Sequence, residues 1–271
     1  MTTPPALLIA GHGTPDEAEA EAFREVVRAL SGRAPGVAVA GTLVGRRDPR
    51  QLDEAVAALV GEGAGRITAV PLALASDGPG DAGPGGVPAA LKRALAPYPG
   101  VGYACGRPLG PEPELLAVLE RRLDEALDGA ARTSRTPSDR AATTVLLVGR
   151  GSADAEANAE AHRAARLLWE GRGYAGVETA FVSLAAPDVP SGLDRCVRLG
   201  ARRIVVLPYV LFSGALPDRV RMQTEGWAAA HPEVEVVAAE AIGPAEELVE
   251  LVVGRYEEVV GRYEETVGAH A

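Results

Sequence analysis

The stretch Ala6-Leu7-Leu8-Ile9-Ala10-Gly11-His12-Gly13-Thr14 decides how the rest of the chain is read. Five apolar residues running into a Gly-His-Gly turn predict a parallel strand buried on both faces. Pro15, Asp16, Glu17 and Glu19 follow, and they are the residue types that open a helix. Strand, turn and helix begin an open α/β sheet, and such sheets take ligands outside the carboxyl ends of their strands. His12 therefore falls where this kind of fold does its chemistry. Gly11 and Gly13 beside it carry no side chain, which would let a large flat substrate approach the imidazole. The plainer alternative is that His12 caps the strand and bonds a loop carbonyl.

Outward from this strand the pattern alternates between helix and strand. Residues 17–30 form an amphipathic helix with Ala22, Val26, Val27 and Leu30 on one face. Residues 37–44 are a second strand, 52–60 a helix, and 67–74 a third strand. A loop rich in Gly, Pro and Asp spans 76–86, ahead of a helix at 87–95, a strand at 101–104 and a helix at 112–127. The polar, aperiodic stretch 129–141 reads as a linker.

Beyond the linker the chain repeats itself. Val145-Leu-Leu-Val-Gly-Arg-Gly-Ser152 matches Leu7 to Thr14, and Glu160-Ala-His-Arg163 matches Glu21-Ala-Phe-Arg24. Arg203-Ile-Val-Val-Leu-Pro-Tyr209 matches Arg66-Ile-Thr-Ala-Val-Pro-Leu72. Ile242-Gly-Pro244 matches Leu109-Gly-Pro111, each ahead of a helix. Four matches in one order at a nearly constant offset are a duplication. The expectation is an α/β protein of two duplicated βα domains, 1–128 and 142–271, each with a small parallel sheet, and a site in the cleft between them.

Composition narrows the function. The 271 residues are 47% hydrophobic and 4% aromatic, which suits layers packed through Ala, Val, Leu and Gly. A net charge of −10 argues against nucleic acid and anionic membrane as partners. The paired arginines Arg46/Arg47, Arg121/Arg122 and Arg202/Arg203 read mostly as solvated faces, with a few available to substrate carboxylates. Cys105 and Cys196 lie far apart without CxxC spacing, which argues against a zinc framework or a secreted disulfide scaffold. No apolar run approaches the ~20 residues of a membrane span, and no signal peptide is visible. A cytoplasmic protein is expected.

The Gly-His-Gly turn after the first strand, the duplicated α/β halves and the proline inside the third strand together resemble the sirohydrochlorin chelatases. This is the CbiX/SirB group, related in fold to the class II chelatases. The second half is similar to the two-repeat actinobacterial form through Val148-Gly-Arg-Gly-Ser152, Ala165 to Tyr174, and Leu207 to Arg219. The resemblance implies insertion of Fe²⁺ or Co²⁺ into sirohydrochlorin, towards sirohaem or cobalamin. The metal is then a substrate, and no cofactor is permanently bound. Two pyrrole protons must leave as the metal enters the ring, and a neutral imidazole can bind the metal or accept a proton near pH 7. His12 matches the family's first metal-site histidine.

The sequence departs from the family at that site. The family places a second histidine between the third strand and the next helix. Here Val70-Pro71-Leu72 and Val87-Pro88-Ala89-Ala90-Leu91 are present, but the residues between them include no histidine. The family's glutamate on the second strand reads here as Val44 or Gly45, although Asp48-Pro49 is kept. In the second repeat Arg150 stands at the His12 position and Ser183 at the glutamate position. Asp77 and Asp81 on the altered loop are candidate oxygen ligands beside His12, or only turn residues.

Candidate substrate contacts are Gly11, Gly13, Thr14, Arg150, Ser213 and Gly214. Arg150 would pair with a macrocycle carboxylate, whereas Thr14 and Ser152 serve equally as helix caps. His162 reads as a packing residue in a helix, His231 as a surface residue after one, and His270 as part of the tail. Two further functions stay open. One is a paralogue that binds a tetrapyrrole or metal without catalysis; the other is the same scaffold redirected to another small anionic substrate, with His12 as general base. With both repeats in one chain, a monomer suffices to build the cleft.

Overall fold

The first apolar stretch is strand β1, Ala6–His12, in the computed structural model, which describes residues 4–12, 16–44, 50–75, 86–134 and 140–268. With β2 (Val39–Val44), β3 (Arg66–Leu72) and β4 (Gly102–Cys105) it forms a parallel sheet of order β2-β1-β3-β4. The pairing runs from Leu7 opposite Val39 to His12 opposite Val44 on one side of β1. On the other side it runs from Ala6 opposite Ile67 to Gly11 opposite Leu72.

Both faces of this sheet are covered, as the unbroken apolar run requires. Ala6, Leu8 and Ala10 pack with Ile67 and Ala69 beneath α2 (Arg50–Gly61) and α3 (Val87–Ala94), through Leu52, Val56, Leu59, Ala90 and Leu91. Leu7 and Ile9, pointing the other way by strand alternation, are equally buried. That face receives α1 (Glu17–Arg33) with Phe23, Val26 and Leu30. A side chain at Gly41 would run into Val27 and Phe23, so the glycine lets α1 lie close against β2. Asp16 caps α1, accepting from the amides of Ala18 at 2.9 Å and Glu19 at 3.3 Å.

The second repeat builds the same layers. β5 (Thr143–Gly149), β6 (Gly176–Phe181), β7 (Arg203–Tyr209) and β8 (Glu235–Ala238) pair in the order β6-β5-β7-β8, again parallel. One face packs Leu146, Val148, Ile204 and Val206 against Leu193 and Cys196 of α6 (Val189–Arg198), and Val220 and Trp227 of α7 (Ala215–Ala230). The other carries α4 (Pro113–Ser134) and α5 (Ala155–Trp169).

The compact units are not the two sequence repeats. One unit is Met1–Leu109 with Glu246–Ala271, and the other is Gly110–Ala245. The final helix of each repeat is therefore exchanged. α4 follows the first sheet in sequence but packs on β7 and β8, while α8 (Glu246–Gly268) packs on β3 and α1. The expected boundary at 129–141 is corrected accordingly, because α4 continues as helix to Ser134 and the change of unit falls at the two Gly-Pro sequences. Gly110 at φ +61° and Gly243 at φ +73° take the left-handed turns there, which a residue with a Cβ adopts reluctantly. Leu248, Leu251 and Val252 of α8 are buried, and each contributes roughly 1.5–3 kcal/mol by leaving water. The exposed pairs from Arg33 to Glu246 and Glu250 add little beside that.

Candidate functional site

The chain leaves β1 towards β2 on one side and returns to β3 on the other, so the order reverses between β1 and β3. A ligand crevice forms at the carboxyl ends of such a pair. His12 is the last residue of β1 and stands at that point. Gly11, expected to give a substrate access, is instead buried, and a side chain there would press on Leu43 Cδ2 at 3.1 Å and Phe23 Cε2 at 3.2 Å. Its missing side chain serves the packing of α1. Gly13, Thr14, Asp77 and Asp81 lie outside the described residues, as do Arg46, Arg47 and His270. Among the described residues no three His, Cys, Asp or Glu side chains are grouped to hold a metal.

The same reversal occurs between β5 and β7 in the second unit, and it gathers three of the expected contacts. Arg150, exposed, follows β5 directly. Ser213 is exposed, and Gly214, at φ 141°, is the residue from which α7 starts. No side chain caps α7, and a helix start presents amide groups to an anion. Tyr209 ends β7 with its hydroxyl buried and without a partner among the described residues; burial, with a smaller contribution from Glu160, pushes that hydroxyl well above its ordinary value.

The Arg150 loop is firmly built. The carbonyl of Arg150 accepts from the Ser183 amide at 3.1 Å and its hydroxyl at 3.3 Å. Ser152 is not the cap of α5, as one reading had it. Asp154 caps that helix, accepting from the Glu156 amide at 3.2 Å, and Ser152 Oγ accepts from the Asp154 amide at 3.0 Å. Asn158 braces the turn, donating to the Ser152 carbonyl and accepting from its amide, both at 2.9 Å.

The remaining candidates have structural roles. His162 meets the Phe181 ring edge-on at 5.7 Å. His231 stacks on Trp227 at 3.8 Å, with Nδ1 2.9 Å from the Trp227 carbonyl. Cys196 is buried in the core and its thiol is pushed up to about 12, chiefly by burial, so it supplies no nucleophile. Arg203 donates to Glu235 at 2.8 Å and is almost wholly buried, so it belongs to the β7–β8 pairing rather than to a solvated face.

Arg122 had also read as a surface residue. Its Nε donates to the Ala241 carbonyl at 3.0 Å and a terminal nitrogen to the Ile242 carbonyl at 2.9 Å, while Glu125 takes the third contact at 2.8 Å. Arg255 does the same in the other unit. It donates to the Pro108 carbonyl at 3.3 Å and the Leu109 carbonyl at 2.9 Å, with Glu258 at 3.3 Å. Each exchanged helix thus holds the chain just before a Gly-Pro turn through an Arg-x-x-Glu pair. Extending the Gly-Pro repeat into the helices brings Arg122 onto Arg255 and Glu125 onto Glu258, so the signal was present in the sequence.

The CbiX family model matches the chain twice, at residues 6–126 and 144–259. The chain is 30% identical over 253 residues to a sirohydrochlorin cobaltochelatase of Priestia megaterium, covering 93% of this chain and 79% of that protein. A sirohydrochlorin ferrochelatase of the same organism is 29% identical over 177 residues, covering 64% of this chain and 61% of the relative. The solved structure of SirB from Bacillus subtilis with Fe³⁺ superposes with a TM-score of 0.77 at 22% identity, covering 97% of this chain and 98% of that one. That likeness covers the fold of both units.

Proposed function

Because the chain belongs to the CbiX family, we propose that it inserts a divalent metal, Fe²⁺ or Co²⁺, into sirohydrochlorin, on the way to sirohaem or cobalamin. The observation that carries this reading is the 30% identity to a sirohydrochlorin cobaltochelatase across 93% of the chain. His12, at the carboxyl end of β1, is the group that receives the metal or a departing pyrrole proton. Near neutral pH an imidazole lone pair can do either, and histidine is the common ligand for metals of this group. Asp77 and Asp81 are the oxygen ligands proposed to accompany it.

The macrocycle is a flat ring with acidic arms. Arg150 takes a carboxylate, for which the guanidinium fork is suited, and Ser213 with the Gly214 amide at the start of α7 takes another. Gly13 and Thr14, next in sequence after His12, are further proposed substrate contacts. With both repeats in one chain, the protein works as a monomer, which sedimentation of the purified chain tests.

The deciding experiment follows sirohydrochlorin absorbance anaerobically with Co²⁺ or Fe²⁺. Insertion faster than the uncatalysed background, lost in His12→Ala, is the expected result. A wild-type rate equal to background overturns the reading.

A further inference from the structure

Leu184 stands out against everything around it. Its backbone lies at φ 62°, the sole non-glycine residue with a positive φ among those described. Leucine is disfavoured there because its Cβ crowds the backbone, and glycine or asparagine is the ordinary occupant. The residue is also 78% exposed, so the position gains little burial in return. Nothing in the folded core requires a leucine at this place.

The loop that presents it is tightly fixed. Val182 donates to the Gly149 carbonyl at 2.9 Å and Ser183 to the Arg150 carbonyl at 3.1 Å, which ties the chain after β6 to the end of β5. Ala185 donates back to Ser183 at 2.7 Å, closing a three-residue turn with Leu184 at its tip, and Phe181 donates to Pro187 at 2.9 Å across the base. Gly151, at φ 85°, lies under the loop, and a side chain there would overlap the Ser183 carbonyl oxygen. A rigid apolar tip is therefore held beside Arg150, at the carboxyl ends of the strands where this fold binds ligands. Strain that persists in an over-determined loop is characteristic of a binding position.

We propose that Leu184 is a substrate-binding residue that packs its side chain against the apolar face of a flat conjugated macrocycle, on a loop hydrogen-bonded to the backbone of Arg150, the residue proposed to take one of the ring's carboxylates. The inference rests on the chelatase reading and adds to it the residue that recognises the ring face. A ligand with an apolar face and an acidic rim fits this pair; a small hydrophilic anion needs only the arginine.

The test uses the full chain with Leu184→Gly and Leu184→Met. Glycine relieves the backbone and removes the contact, whereas methionine keeps an apolar side chain of similar volume. Metal-free sirohydrochlorin binding is read by fluorescence, with thermal unfolding alongside. Leu184→Gly is expected to raise Tm by a few degrees while weakening binding roughly fivefold to tenfold. The loss appears in KM more than in kcat, and Leu184→Met stays close to wild type. A purely structural leucine would move stability and affinity in the same direction. Binding by Leu184→Gly as tight as wild type, or a fall in its Tm, overturns the inference while leaving the chelatase reading intact. A wild-type chain that neither binds nor metallates sirohydrochlorin removes the chelatase reading itself, and this inference with it.

Discussion

The two units solve one packing problem with the aromatic ring moved from helix to strand. In the first, Phe23 on α1 fills the space above Gly11, with Leu43 on β2 beside it. In the second, the space above Gly149 is filled by Phe181 on β6, and the α5 position matching Phe23 holds the exposed His162. One phenylalanine ring covers the glycine in each unit, although the element that supplies it has changed. At the strand ends nothing comparable is kept. β1 ends in His12, while β5 runs into Arg150 beneath a loop that displays Leu184. Duplication has preserved the layers and freed the tips, where a change in one side chain alters chemistry without disturbing the core.

The sharpest way to break this comparison is to exchange functional loss between the tips. His12→Ala is expected to lower the insertion rate by roughly 100-fold or more with an unchanged unfolding midpoint. Arg150→Ala should act mainly by raising KM. If Arg150→Ala instead abolished turnover at saturating sirohydrochlorin, the division of roles between the units would fall.

The packing equivalence is tested by Phe23→Ala and Phe181→Ala in urea titrations of the full chain. Each is expected to cost about 3–5 kcal/mol. A negligible cost for either would show that its ring is not the filler of its unit.

The two arginine clamps should differ in a defined order. The Arg255 side chain is 6% exposed and that of Arg122 is 23% exposed. Arg255→Ala should therefore cost about 2–3 kcal/mol and Arg122→Ala about 1–2 kcal/mol, because backbone carbonyls lose donors in the drier site. The reverse order in equilibrium unfolding would sink the clamp interpretation.

The smallest effect separates the units by pH. Burial alone would raise the Glu120 carboxyl, but hydrogen bonds from Arg140 and Arg172 hold it below its ordinary 4.5. The position matching it in α8 is Val253. Stability from that carboxylate is full above its unfolded-state value and is lost as pH falls through the lower folded value. Glu120→Gln should flatten the dependence of Tm on pH below about 4.5, and a Tm profile parallel to wild type would remove the effect.

Much of this was legible in the residues. The continuous apolar runs and the turns between them gave the parallel strands, and the recurrence of Leu7–Thr14 at 145–152 gave the duplication. The place of His12 at a strand end followed from the same pattern, and β1 does end on it. Ser152 was harder, because serine and aspartate both cap helices and only the observed donors single out Asp154. Gly11 misled for a related reason: a glycine beside a site and a glycine beneath a helix look alike until Phe23 is seen over it.

The exchange of α4 and α8 marks the limit most clearly. Periodicity states that one face of each helix must be buried, and in 112–127 it does so plainly. It carries no label for the sheet that will cover that face, and two sheets of one ancestry offer nearly the same surface. The choice was made by the left-handed turns at Gly110 and Gly243 and by the carbonyls that Arg122 and Arg255 reach. The conformation of Leu184 belongs with these, since a leucine codes for no positive φ and only the hydrogen bonds of its neighbours hold it there. Local pattern settled which segments are strands and helices, because backbone and side-chain periodicity are local properties. The pairing of helices with sheets and the strained tip were settled by contacts distant in sequence, where burial and hydrogen bonding are satisfied only in three dimensions.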